Sequence, residues 1–130
     1  MEGVRILALD GAGRVLLVRH SYGTRRWMPP GGGIARGEDA LAAASRELRE
    51  ETGCDLRDAR LLCISGEDLH GASNRVHLVR GSALGVPAPD RREIVAARFF
   101  APDALPPDMT QRTAALLERW LVDRPEDGSA

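Results

Sequence analysis

The sequence contains no lysine: all 18 of its positive side chains are arginine, set against 19 carboxylates for a formal net charge of −1. That absence excludes a Walker A lysine, a Schiff-base lysine and a kinase-type lysine, which leaves carboxylates, arginine, histidine, cysteine and hydroxyls to carry any chemistry. A basic excess is missing as well. Broad electrostatic binding to anionic surfaces is therefore disfavoured, and neither a nucleic-acid polymer nor a membrane is expected as a partner. Aromatics make up only 4% of the chain, and the two cysteines, Cys54 and Cys63, are too few and too far apart for a zinc knuckle or a disulfide framework. A reduced, buried pair in a cytoplasmic protein is the expectation. No apolar run approaches membrane-spanning length, and Glu2 and Arg5 precede any stretch of signal-peptide character, which points to a soluble chain.

What is present is enough for one core. At 130 residues with 43% hydrophobic side chains, a single domain needs no staples. Val4–Leu9 and Val15–Arg19 read as strands of a hairpin joined by Asp10-Gly11-Ala12-Gly13. Residues 21–37 then form a Pro/Gly-dense segment, the kind of loop whose backbone can approach a ligand closely. A helix is predicted from about Asp39 to Thr52, with Gly53 placed for a left-handed C-cap. Ala59–Ser65, Arg75–Arg80 and Ile94–Phe100 are further strands, separated by a polar loop at 66–74 and a Pro/Gly loop at 84–90. Thr110 can cap a last helix carrying Thr113, Leu116, Leu117, Trp120 and Leu121 at helical spacing. The expected architecture is α/β in the broad sense (α+β). Residues 1–123 form the domain and 124–130 a frayed tail.

The first helix carries the chemistry. With Leu41 set at zero on a helical wheel, Ser45, Leu48 and Thr52 fall within about 40° of it and are expected to face the sheet. Glu47, Glu50 and Glu51 share an arc of about 100° over the same two turns, with Arg46 one turn before Glu50. Three such carboxylates repel one another and oppose the helix dipole near its C-terminal end, so a compensating charge is needed. Mg²⁺ suits that role, because it prefers oxygen ligands and binds through a few carboxylates together with substrate phosphates. A solvated acidic face paired with Arg46 and Arg49 is the plainer alternative.

The spacing around this helix narrows the choice. From Gly32 the chain reads Gly, five residues, Glu38, seven residues, then Arg46-Glu47-Leu48-Arg49-Glu50-Glu51-Thr52-Gly53-Cys54. This resembles the Nudix box, G-x5-E-x7-R-E-U-x-E-E-x-G-U, with Cys54 an unusual final apolar residue. At average residue usage such a match arises by chance in roughly one chain in ten million. The resemblance extends upstream through Trp27, Pro30, Gly31 and Gly32 and downstream through Glu93-Ile94, Phe99-Phe100 and Leu105-Pro106. Pro29 and Ala35 depart from the residues usual at their positions, both outside the strict box.

The resemblance implies a Nudix-type α/β/α sandwich with a mixed sheet between helices, and hydrolysis of a nucleoside diphosphate linked to another moiety with Mg²⁺ or Mn²⁺. It implies Glu47, Glu50, Glu51 and the Gly31 carbonyl as metal ligands and Arg46 as the group that orients the glutamates. Glu38 reads as structural, receiving backbone donors at the helix start. The general base is Glu47 or a later-loop carboxylate, with Glu93 ahead of Glu67 and Asp68. Arg19, Arg25 and Arg26 flank the glycine loop as candidates for substrate phosphates. Among the aromatics Trp27, Tyr22 and Phe100 are able to stack on a base, although core packing is the stronger reading of Trp27 and Phe100. His70 is the one histidine placed to approach substrate. A MutT-like triphosphate hydrolase and a non-catalytic nucleotide-binding module are the alternatives, as monomer or homodimer.

Overall fold

The computed structural model of the chain describes residues 2–69 and 72–121, with backbone alone at 67–69 and 72–73. His70 and the tail at 124–130 lie outside the described residues.

Eight elements follow one another: β1 (Glu2–Leu9), β2 (Val15–His20), β3 (Gly31–Gly33), α1 (Ala40–Thr52), β4 (Asp55–Leu69), β5 (Ala72–Leu84), β6 (Ile94–Phe100) and α2 (Gln111–Trp120). The strands form one mixed sheet ordered β4-β5-β1-β2-β6, with β3 paired to β1 beside that path. β1 runs parallel to β5, while β1–β2, β2–β6, β4–β5 and β1–β3 are antiparallel.

Alternation along the central strands sends side chains to two cores. Val4, Ile6 and Ala8 of β1 pack with Leu16 and Val18 of β2 and with Ala43, Ala44 and Leu48 of α1. Leu7, Val15 and Leu17 pack on the opposite face with Trp27 and with Leu117 of α2. Both faces of the sheet are thus covered, which makes an α/β/α sandwich and explains why Val15 to Val18 form an unbroken apolar run rather than an alternating one. No helix among the described residues is long and apolar enough to cross a membrane.

β1 and β2 are joined as expected, but they pair only at Leu9 and Val15. Asp10 shapes the turn, its Oδ1 accepting from the Ala12 and Arg14 amides at 3.0 and 2.8 Å. The strands then diverge, and the glycine segment enters the gap. Gly31, Gly32 and Gly33 pair with Arg5, Val4 and Gly3, and the Ile6 amide donates to the Pro30 carbonyl at 2.9 Å. Residues 31–33 are therefore a short strand rather than loop. Strand propensity disfavours three glycines, but at Gly31 the close approach leaves no alternative: a Cβ there would overlap the Val4 carbonyl.

Helix α1 is bounded by the predicted signals. The Asp39 side chain accepts from the Ala42 amide at 2.8 Å, and Gly53 closes the helix at φ 76° with its amide on the Arg49 carbonyl. Its inward face differs from the wheel. Ala43, Ala44, Leu48, Glu51 and Thr52 are buried, whereas Leu41 is 39% exposed. The buried stripe is displaced toward the glutamates, so Glu51 is carried into the protein instead of standing at the solvent margin. β4 and β5 also outrun their predicted limits, and the polar loop expected at 66–74 is instead paired strand to Leu69 and from Ala72.

Candidate active site

The C-terminal half of α1 lies against β3, and that contact assembles the site. Glu51 is only 5% exposed, and the Gly31 amide donates to its Oε1 at 3.3 Å. Burial pushes the Glu51 carboxyl up to about 8; the Gly31 amide and Arg5 oppose the rise, while the charges of Glu47 and Glu93 add to it. Glu47 is half-buried with its carboxylate lying over Gly32, where any side chain would overlap it. Burial raises its pKa as well, with Glu50 and Glu93 contributing and Arg46 opposing.

Arg46 binds the acidic residues to one another. Its Nε and Nη2 donate to the two oxygens of Glu38 at 2.8 and 2.9 Å, a bidentate pair. Nη1 reaches Glu47 at 3.2 Å and Glu50 at 3.3 Å, and Nη2 also donates to the Gly33 carbonyl at 3.0 Å. The planar fork thus ties box helix, preceding loop and β3 together, which a lysine point charge cannot do. Glu38 also accepts from the Ala35 amide at 2.9 Å, and these donors, Arg46 first, hold its carboxyl down at about 2.

Arg5 is the residue that the sequence did not single out. It sits on β1 opposite Gly31, donates to the Pro29 carbonyl at 3.2 Å and is partly desolvated, which lowers its pKa against the pull of Glu51 and Glu47. On a strand it looks like any polar alternation; only the β1–β3 pairing reveals that it faces the glutamates.

Glu93 acts on the same glutamates from the β6 end of the sheet order. It precedes β6, its carbonyl accepts from the Ser21 amide at 2.9 Å, and its charge is felt by both Glu47 and Glu51. His20 responds to some of the same charges: burial lowers its pKa, Arg5 lowers it further, and Glu93 and Asp90 oppose. The backbone of Glu67 and Asp68 belongs to the β4–β5 ribbon, paired with Asn74 and Ser73.

The remaining candidates are placed less directly. Trp27 is 5% exposed, set edge-on against Phe100 and covered by the Arg19 guanidinium at 5.4 Å, so its faces are taken by protein. Arg19 Nε donates to the Arg25 carbonyl at 3.0 Å, and Arg26 donates to the Met109 carbonyl at 3.4 Å, which leaves the Arg25 side chain exposed beside Arg19. Cys54 is buried and Cys63 partly so, both as free thiols.

Among the described residues no three acidic, histidine or cysteine groups already converge as a metal cluster; Arg46 occupies the carboxylates instead. The donor set nevertheless suits a hard divalent cation. It consists of oxygen ligands only, and a buried Glu51 beside Glu47 and Glu93 carries more negative charge than Arg5 and one amide offset.

Residues 1–121 match the family described as NUDIX domain. An RNA pyrophosphohydrolase of Teredinibacter turnerae is 42% identical over 62 residues, 48% of this chain and 36% of that protein. Another from Sodalis glossinidius is 47% identical over 60 residues, covering 46% and 33%. These alignments span about a third of the length of the relatives. A solved structure titled MutT NUDIX hydrolase from Burkholderia pseudomallei is 27% identical, covers 94% of this chain and 97% of that one, and superposes with a TM-score of 0.78.

Proposed function

Because the chain belongs to the NUDIX family, we propose that it hydrolyses the pyrophosphate bond of a nucleoside diphosphate linked to another moiety. The observation that carries this reading is Glu51, buried on the Gly31 amide within the field of Glu47 and Glu93. That arrangement costs stability unless a cation or an anionic ligand with its cation completes it.

Glu47, Glu50, Glu51 and the Gly31 carbonyl would hold Mg²⁺, or Mn²⁺ in its place. When bound, the cation supplies Lewis-acid neutralisation of the diphosphate oxygens and acidifies a nearby water. The chain's own residues do the rest. Glu47, whose carboxylate is made more basic by burial, is the first choice to take the proton from the attacking water; Glu93 is the second. The water oxygen bonds to phosphorus, the bridging phosphorus–oxygen bond breaks, and the departing phosphate leaves with the bridging oxygen and its electron pair. Arg46 keeps Glu47 in place through this step. Arg19, seated on Trp27, and Arg25 hold outer phosphate oxygens. Residues 1–123 act as one domain, placed in the cytoplasm.

The names of the curated relatives favour one addition to the substrate range, RNA bearing a 5′ polyphosphate, which the charge balance alone had argued against. A panel of purified protein with Mg²⁺ or Mn²⁺ against nucleoside triphosphates, oxidised deoxynucleotides, ADP-ribose, dinucleoside polyphosphates, nucleotide sugars and 5′-triphosphate RNA tests the proposal. Release of phosphate or pyrophosphate from at least one of them is expected. No turnover on the whole panel would instead support a nucleotide-binding module.

A further inference from the structure

We propose that Tyr22, stacked on His20 and following the Ser21 that is bonded to the Glu93 segment, is the platform on which the base of a nucleotide substrate stacks. The proposal rests on the nucleotide-hydrolase reading and adds the recognition element that reading leaves open.

The chain has five aromatic side chains of the Phe, Trp and Tyr types. Trp27 and Phe100 are packed against each other, Phe99 and Trp120 are partly buried against the two cores, and Tyr22 at 57% is the one that stands in solvent. Tyr22 is therefore the aromatic ring among the described residues that is free to meet another flat ring.

Tyr22 is also held in place rather than left on a free loop. Its ring lies nearly parallel to that of His20, with centroids 5.7 Å apart and planes 10° apart. Ser21, between them, donates its amide to the Glu93 carbonyl and its hydroxyl to the Arg92 carbonyl, both at 2.9 Å. The segment bearing Tyr22 is therefore fastened to the segment bearing Glu93. His20, the inner member of the stack, feels Arg5 and Glu93, which are the groups that also act on Glu51. The ring pair is thus carried by a segment that is hydrogen-bonded through Ser21 to the segment bearing Glu93. A base added on Tyr22 extends the stack.

The ligand class that follows is a base-bearing polyphosphate, and stacking makes the site tolerant of base identity. Equilibrium binding of adenosine 5′-(α,β-methylene)triphosphate and of tripolyphosphate, both with Mg²⁺, tests it on wild type, Tyr22→Phe, Tyr22→Leu and Tyr22→Ala. Loss of one base-stacking contact should weaken the nucleotide by roughly 5- to 150-fold in Tyr22→Ala and Tyr22→Leu, and Tyr22→Phe should restore it. Tripolyphosphate affinity should be the same in all four proteins. Equal losses for both probes would mean that Tyr22 only supports the loop, and unchanged nucleotide binding, or wild type preferring the nucleotide no more than tripolyphosphate, would overturn the proposal. Wild type that binds the nucleotide through Tyr22 yet turns over nothing on the substrate panel would remove the hydrolase reading and leave the platform standing.

Discussion

Glu51 and Glu38 sit at opposite ends of the carboxylate range, and each has a distinct test. Replacing Glu51 by Gln keeps its size and an oxygen for the Gly31 amide while removing the group that ionises to hold a cation. Turnover should fall by orders of magnitude with no loss of thermal stability at neutral pH; near-normal rates would end the ligand assignment. For the base, Glu47→Gln is expected to lose more turnover than Glu93→Gln when initial rates of both are compared at saturating metal. Glu38 makes a pH prediction. Its carboxyl is held at about 2 by Arg46 and the Ala35 amide, below the ordinary 4.5, so the folded protein binds fewer protons there than the unfolded chain. The stabilisation is complete above pH 4.5 and is lost as pH falls toward 2. Melting curves of wild type and Glu38→Gln should therefore differ at pH 6 and converge across that window. The spacing of the acidic residues made all of these legible in the sequence. Arg5 and His20 were not legible, because their importance comes from which strand lies beside them, and a single strand does not reveal its neighbour.

At the level of elements, α1 was read to within a residue because both of its ends are written in side-chain chemistry. Asp39→Ala removes the oxygen that accepts from Ala42 and should cost about 1 kcal/mol, a drop of about 4 °C in Tm. A larger loss would mean that Asp39 supports more than the cap. The face of α1 differs for a physical reason: hydropathy puts Leu41 inward and Glu51 outward, whereas the Gly31 amide makes burial of a carboxylate tolerable and Ala40, Ala43 and Ala44 take the inward positions of the first turns. β3 escaped notice because triglycine carries no strand signal. The β4–β5 ribbon was shortened because Gly66, Ser73 and Asn74 read as loop, while backbone pairing of Gly66 with Arg75, Glu67 with Asn74 and Asp68 with Ser73 carries the strands on. Elements that pack a core announce themselves by periodicity; those held by backbone hydrogen bonds do not.

Sheet, helix α1 and the carboxylates proposed to act in catalysis meet along one line, Gly31-Gly32-Gly33, and three adjacent substitutions there should separate what folds the molecule from what makes it work. A methyl group on Gly31 meets the Val4 carbonyl, backbone that cannot yield without parting β3 from β1. Gly31→Ala should therefore destabilise the whole domain by roughly 1–3 kcal/mol, as overpacking does, and lower activity with it. On Gly32 the same methyl meets only the Glu47 carboxylate, the far end of a flexible side chain. Gly32→Ala should leave Tm within about 2 °C of wild type and still cost most of the turnover, because Glu47 must swing away from the Gly31–Glu51 contact. Nothing lies within 4 Å of a Cβ on Gly33, and its conformation suits any residue, so Gly33→Ala should be close to wild type in both measurements. Thermal melts paired with initial rates on the best panel substrate decide the matter. A Gly32→Ala protein that melts early, or one that is stable and fully active, would show that Glu47 does not need the position above Gly32, and the site would have to be built around Glu93 instead.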